Sequence, residues 1–324
     1  MHSMTRRRAL LALTCAALAL PAAAWAWPER PVRIIVPYPP GGITDIVGRS
    51  IAERLAETLQ QPVVVDNRAG AGGTIGAVLA SQSPADGYTL FIGTSATNGT
   101  NPVTFKDLRY QPERDFAPVA LLATAPLMIS VHPSVPAKTL PEFITYLKAN
   151  PGKVNYASTG KGGSVHLTTE LFAMQTKTSM EHIVYKGSAP ALSDLVGGHV
   201  QVMFDNVPSA APLAATGKVR ALAVTGAKRA ASAPDVPTVA EAAVPGFESL
   251  SWIALYAPAG TPAAILSELN EAVANAMRHP RLVATFEKAG LEPVGGTPEA
   301  LAQYQATEIK KWGTVVEAIK YVPE

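Results

Sequence analysis

Short apolar, β-branched runs alternate along this chain with stretches in which apolar residues recur every three or four positions. That alternation predicts repeated strand–turn–helix units. Val32, Ile34, Ile35 and Val36 form the first run, which Pro37-Tyr38-Pro39-Pro40 and then Gly41-Gly42 stop. From Thr44 onward Ile46, Val47, Ile51, Leu55 and Leu59 follow at helical spacing, with Arg49, Glu53, Arg54 and Glu57 on the other faces. Further strands are expected over 62–66 and 88–92, with a helix between them, and then a strand over 119–131 broken by Pro126. A helix over 140–149 opens a second series, with strands over 154–157, 183–185, 200–204 and 221–225; Pro208 opens one of its helices. An apolar run at 250–257 and helical patterns over 262–278, 281–289 and 297–319 close the chain. No strand is expected beside these last helices, so they should pack back on the first series. The repeated units imply a largely parallel sheet covered on both faces.

The turns carry the candidate chemistry. Gly41-Gly42 precedes a helix, where the first N–H groups lack intrahelical partners and the dipole is positive, so an anion can lodge there without lysine or arginine. The bland alternative is a tight β–α connection. Asp45, early in that helix, either favours the dipole or orders the loop. Gly70, Gly72 and Gly76 have a spacing found in some dinucleotide sites, but no acid ends the following strand to hold a ribose, so close packing of helix on sheet is the better account. The small, hydroxyl-rich stretch 93–97, like Gly41-Gly42, follows a strand, and in open α/β sheets ligands sit beyond strand ends. Residues 158–166 combine glycines with Ser158, Thr159, Ser164 and His166, which suits either a ligand or a helix cap. Asp205 either accepts a hydrogen bond from a ligand or caps the helix at Pro208. No Gly-x-Ser-x-Gly elbow supports a hydrolase, and the histidines lack metal-ligand spacing.

Composition adds the compartment. The chain has 324 residues, 48% hydrophobic and 16% charged, which suits two well-buried domains. Arg6-Arg7-Arg8, an apolar run to Ala24 and then Ala24-Trp25-Ala26 have the three parts of a secretory signal over 1–26, cleaved after Ala26. Thr5-Arg6-Arg7-Arg8 also partly matches a twin-arginine signal, and the export route stays open. The one cysteine, Cys15, lies inside the signal, so the mature chain forms no disulfide or thiolate metal site. Without the three signal arginines, 24 basic face 25 acidic residues, a formal charge of −1 that removes electrostatic support for nucleic-acid binding.

An ordered set of blocks resembles the Bug family of periplasmic solute-binding proteins, the receptors of tripartite tricarboxylate transporters. They are Tyr38-Pro39-Pro40-Gly41-Gly42-Ile43-Thr44-Asp45, Asn67-Arg68-Ala69-Gly70-Ala71-Gly72-Gly73, Ala85-Asp86-Gly87-Tyr88-Thr89-Leu90, Ser158-Thr159-Gly160 to His166, Tyr185-Lys186-Gly187-Ser188-Ala189-Pro190, Pro234-Asp235-Val236-Pro237 and Ala257-Pro258-Ala259-Gly260-Thr261-Pro262. The resemblance implies an α/β, two-domain Venus flytrap of the type II-like class, each domain a covered, mostly parallel sheet. Residues 27–125 and 250–324 would form a discontinuous first domain and 126–249 the second, hinged near 123–129 and 249–256. It further implies that Tyr38, Gly41, Gly42, Asp45, Ser95, Ala96 and Thr97 hold one end of a small organic acid, and that Ser158, Thr159, Gly163, Ser164, His166 and Asp205 face them. No cofactor is expected. The expected product is a monomeric periplasmic receptor delivering a dicarboxylate, amino acid or aromatic acid to membrane transporter subunits. The alternatives are a periplasmic hydrolase and a stand-alone ligand sensor.

Overall fold

The computed structural model describes residues 27–323; the expected signal and its cleavage point lie outside them. The chain runs β1 (Val32–Val36), α1 (Ile43–Leu59), β2 (Val63–Asn67), α2 (Thr74–Ser81), β3 (Thr89–Thr94), β4 (Phe116–Val131), α3 (Leu140–Ala149), β5 (Asn155–Ser158), α4 (Ser164–Thr176), β6 (Glu181–Val184), α5 (Ser188–Gly197), β7 (Val202–Asn206), α6 (Val207–Ala215), β8 (Arg220–Val224), β9 (Leu250–Pro258), α7 (Ala263–Met277), α8 (Pro280–Lys288), β10 (Glu292–Gly295) and α9 (Pro298–Ala318). Val47, Ile51, Leu55 and Leu59 bury one stripe of α1, and Gly48 lets that helix lie on β1, since a β-carbon there would stand 2.8 Å from Val36. Gly76 does the same for α2 against Pro37 and the Arg68 carbonyl. The glycines after β2 thus serve close packing.

The strand order is β2-β1-β3-β9-β4-β7-β5-β6, with β8 and β10 also paired to β4. Parallel pairing, as expected, joins β1 to β2 and β3, and β5 to β6 and β7. At the centre the sheet is antiparallel instead, because β9 returns from a distant part of the chain to lie between β3 and β4.

Strand β4 corrects the expected break at Pro126. It is continuous for 16 residues. Up to Pro126 it pairs with β9 and β10, and from Leu127 it pairs with β7 and β8. A proline is tolerated there because its missing N–H falls where one ladder hands over to the next. Thr225 fastens the junction: its hydroxyl accepts from the Leu127 N–H at 2.8 Å and donates to the Ser249 carbonyl at 2.5 Å.

Two of the closing helices pack as expected, while a short strand and the last helix differ. Helices α7 and α8 pack on the first half of the sheet beside α1, where Ile265, Leu269, Leu282 and Phe286 join its core. β10, too short and glycine-rich to stand out as apolar, adds a strand there. Helix α9 spans both halves. Leu301 belongs to the core around Phe91, Phe116 and Tyr256, whereas Trp312 and Val315 belong to the core around Phe143, Phe172 and Phe204. Among the described residues no helix is long and apolar enough to cross a membrane.

Candidate ligand-binding site

Parallel ladders put the turns after β1 and β3 on one edge of the first half, and those after β5, β6 and β7 on one edge of the second. Two of them are near copies. Gly42 caps α1 with φ −80° and ψ 170°, and Gly163 caps α4 with φ −75° and ψ 169°; no side chain caps either helix. The first intrahelical bonds run from Ile46 to Gly42 and from Leu167 to Gly163, so the N–H groups ahead of them have no helical acceptor. A β-carbon on Gly42 would meet nothing within 4 Å, and one on Gly163 only the Gly160 carbonyl at 3.7 Å. Both helix starts therefore face open space.

Side chains hold the first turn from behind. Asp45 is buried, and its oxygens accept from the Gly41 N–H, Arg49 Nε and Asn67 Nδ2, each at 2.9 Å. Burial raises its pKa, but these hydrogen bonds outweigh it and hold the carboxyl below the usual carboxylate range. Asp45 thus orders the loop, and the Gly41 N–H is committed to it. Gly41 itself has φ 90°, a left-handed conformation that glycine adopts freely. Asn67 also donates to the Tyr38 carbonyl, and the Tyr38 hydroxyl lies 3.2 Å from that of Thr94.

The turn after β3 is a single wide turn over Ser95–Thr100, in which Thr94 and Thr97 cap each other. Thr97 is fully buried, its hydroxyl donating to Asn98 and accepting from the Thr94 N–H. Its place in the site is therefore structural; Ser95 beside it is also buried, and Ala96 is the partly exposed member of the turn. This turn touches α4. Gly162 lies against Thr104, so the two halves meet beside it.

In the second half Ser158 is also fully buried. Its hydroxyl donates to the Gly160 carbonyl at 3.1 Å and lies 2.5 Å from His182 Nε2. His166 accepts from the Gly162 N–H at Nδ1 and stacks on His182 with ring centroids 4.1 Å apart; the Tyr156 ring lies nearly parallel to His182 at 4.8 Å. Both imidazoles fix the turn. Burial, the neighbouring ring and Lys161 push His166 down to about 3, and burial with Lys161 brings His182 to about 4. Thr159 and Ser164, partly exposed, remain the hydroxyls on the open side. Asp205, on the neighbouring β7 end, does not cap α6, whose cap residue is Asn206; its Oδ1 accepts from Ser188 at 2.9 Å.

Sequence reasoning placed Thr94 in the 93–97 turn but missed the parts that Asn67, His182 and Ser188 play in these turns. Only the β5–β6 register, which sets Tyr156 opposite His182, would have exposed the imidazole stack. Among the described residues no three His, Cys, Asp or Glu side chains converge to hold a metal. Two surface hollows, of about 290 Å³ beside Trp27 and about 590 Å³ beside Met128 and Val219, are lined by residues of neither glycine turn.

The imidazoles give a pH expectation. Their folded pKa values lie below the unfolded 6.5, so between about 4 and 6.5 the unfolded chain binds protons that the native state refuses, and stability rises with pH. Asp205, raised to about 6 by burial, acts oppositely over the same window. Two imidazoles outweigh one carboxyl. Calorimetry should find the melting temperature climbing from pH 4.5 to 6.5, and more steeply in Asp205→Asn; a flat profile in both would refute the assignment.

The turns, the shared sheet and the doubled glycine starts can be set beside known proteins. Residues 47–321 match the tripartite tricarboxylate transporter family receptor, TctC. The chain belongs to this family. The Bug resemblance holds as well: protein BugT of Bordetella pertussis is 38% identical over 317 residues, 97% of each chain. Among solved structures, Rpa4515 of Rhodopseudomonas palustris with adipate is 39% identical with a TM-score of 0.80, covering 92% of this chain and all of that one. MatC of the same organism, with bound malate, is 36% identical with a TM-score of 0.75, covering 90% of this TctC-family chain and all of its own. The fold is thus the two-domain α/β periplasmic binding fold, and the family is one of solute-binding receptors.

Proposed function

We propose that this protein is a periplasmic receptor that captures a small carboxylate between two domains and delivers it to the membrane subunits of a tripartite tricarboxylate-type transporter. The observation that carries the reading is the pair of uncapped helix starts at Gly42 and Gly163, alike in backbone geometry and both facing open space. Each offers unpaired N–H groups and the positive end of a helix dipole, which suits a carboxylate. Arg49 is tied to Asp45 and Asn67, and Lys161 sits over the Tyr321 ring. Recognition therefore falls to backbone N–H groups and to the hydroxyls of Ser95, Thr159 and Ser164. The adipate and malate of the related structures support the ligand class.

Residues 27–125 and 250–324 form one domain in this reading and 126–249 the other, with Trp312 of α9 resting on the second. The handover at Pro126 and Leu250 supports a hinge there. A hydrolase would need Ser158 and His182 as nucleophile and base. Their hydrogen bond is short, but the serine is buried and donates to a carbonyl, and an imidazole titrating near 4 is a poor base at neutral pH. The receptor reading is preferred over an enzyme.

Titration calorimetry against mono- and dicarboxylates and their amides tests it. The acids should bind at least about tenfold more tightly, roughly 1.4 kcal/mol, because the amides bring no charge to the helix starts. Equal binding of acids and amides would show that the turns do not read charge.

A further inference from the structure

Asp205 is an acid that the charge-reading turns do not explain. It is completely buried, and while Oδ1 accepts from Ser188, Oδ2 has neither a hydrogen-bond partner nor solvent contact. Native proteins rarely leave a buried polar atom unpaired, and where they do the group awaits a water, an ion or a ligand. The register locates it. Tyr156 and Ala157 of β5 pair with Val202 and Met203 of β7, so Asp205 lies on the edge that carries the 158–163 turn, and Ser188 brings the start of α5 to the same edge. A β-carbon on Gly187, ahead of Ser188, would meet nothing within 4 Å, so this third turn faces open space too. The neighbouring Asn206 Oδ1 is likewise buried without a donor. Two adjacent acceptors, and no donor for either, distinguish this corner from the two donor-rich helix starts.

We propose that Asp205 is the specificity-determining acceptor of the second half, taking a hydrogen-bond donor, hydroxyl or ammonium, that the ligand carries beside its carboxylate. The ligands are then hydroxy acids or amino acids in preference to plain dicarboxylates. This rests on the carboxylate-receptor reading and sharpens it. When the halves separate, water reaches Oδ2; when they close, that water is lost and only a ligand donor replaces it. A site built around a donor rejects the analogue without one, because a buried oxygen is then left unpaired. Burial lifts the Asp205 pKa to about 6 in spite of the lowering by Ser188 and the Asn206 N–H.

Two matched trios test this: succinate, malate and aspartate, then glutarate, 2-hydroxyglutarate and glutamate. Each is titrated by calorimetry into the wild-type protein and into Asp205→Asn, an isosteric change that offers a donor instead. In at least one trio the hydroxy or amino acid should bind about tenfold or more tightly than the plain diacid, and Asp205→Asn should erase or reverse that order. Hydroxyl and ammonium ligands separate by which member of the trio wins. Carboxylate binding with no preference for a donor in the wild type overturns the assignment of Asp205 and leaves the receptor reading standing. A preference that survives Asp205→Asn in a folded variant does the same. Failure of every acid in both trios to bind overturns the two together. Ser188→Ala, which leaves the buried Oδ1 unpaired without touching the two glycine starts, should change the preference and lower the melting temperature of the free protein.

Discussion

Gly42→Asp should lower affinity for a small dicarboxylate such as succinate by about a hundredfold, roughly 2.7 kcal/mol, while the melting temperature stays level or rises slightly. The argument is one of replacement. Gly42 has the extended φ and ψ usual for a helix cap, and a side chain there meets no atom within 4 Å, so the substitution folds without strain. Aspartate is among the preferred cap residues; its carboxylate would accept from the N–H groups ahead of Ile46 and settle on the positive end of the dipole. The protein would carry its own anion where the ligand's should go. Gly42→Asn supplies a neutral control of the same shape: it competes for the N–H groups but adds no charge, so its loss of affinity should be smaller. If Gly42→Asp binds succinate as the wild type does, the turn is not the carboxylate holder.

Glu308→Ala should have the largest effect on stability, about 3 kcal/mol or more. Glu308, on α9, is buried, and its Oε2 accepts from the indole N–H of Trp252 at 3.3 Å and of Trp312 at 3.1 Å, while Lys311 pairs with Oε1. Trp252 lies in the core of the first half and Trp312 in that of the second. Alanine leaves two buried N–H groups without an acceptor and a lysine without its partner, and each orphaned group costs about 1–3 kcal/mol. Glu308→Gln keeps an acceptor and should lie between. Denaturant unfolding followed by tryptophan fluorescence measures it; a loss below about 1 kcal/mol would mean the indoles find other acceptors.

The periodic parts of the molecule were open to inspection in the sequence. Helix α3 falls on its expected bounds, and β1, α1 and β9 come within a residue of theirs, because apolar spacing and the flanking proline and glycine fix them locally. What could not be seen depends on distant partners. Pro126 breaks a strand by any local rule, and only the handover of β4 between ladders makes it harmless. The antiparallel centre follows from β9 entering beside β3, more than a hundred residues away in sequence. In the site, the glycine turns were legible as helix starts. Asp45 was legible as a residue that could order the loop, which it does, but the uses of Thr97 and Ser158 were not: the resemblance implied ligand contacts, yet their polar atoms meet the turn's own need for hydrogen bonds. Asp205 was visible as an acid at a strand end, and its unpaired oxygen was not.

The two faces of the site are written in different materials, and that bears on how it can change. In the proposed receptor the contact surface at the first turn is main chain, while Asp45, Arg49 and Asn67 hold the turn from behind. A codon change replaces a side chain and leaves the peptide N–H where it was, so the anion cradle is insulated from most single mutations outside its glycines. On the opposite edge Ser164, Ser188 and Asp205 present side chains that one base change can replace. In the proposed receptor, descent with modification can therefore exchange one organic acid for another through these side chains while the main-chain grip at Gly42 is inherited unaltered.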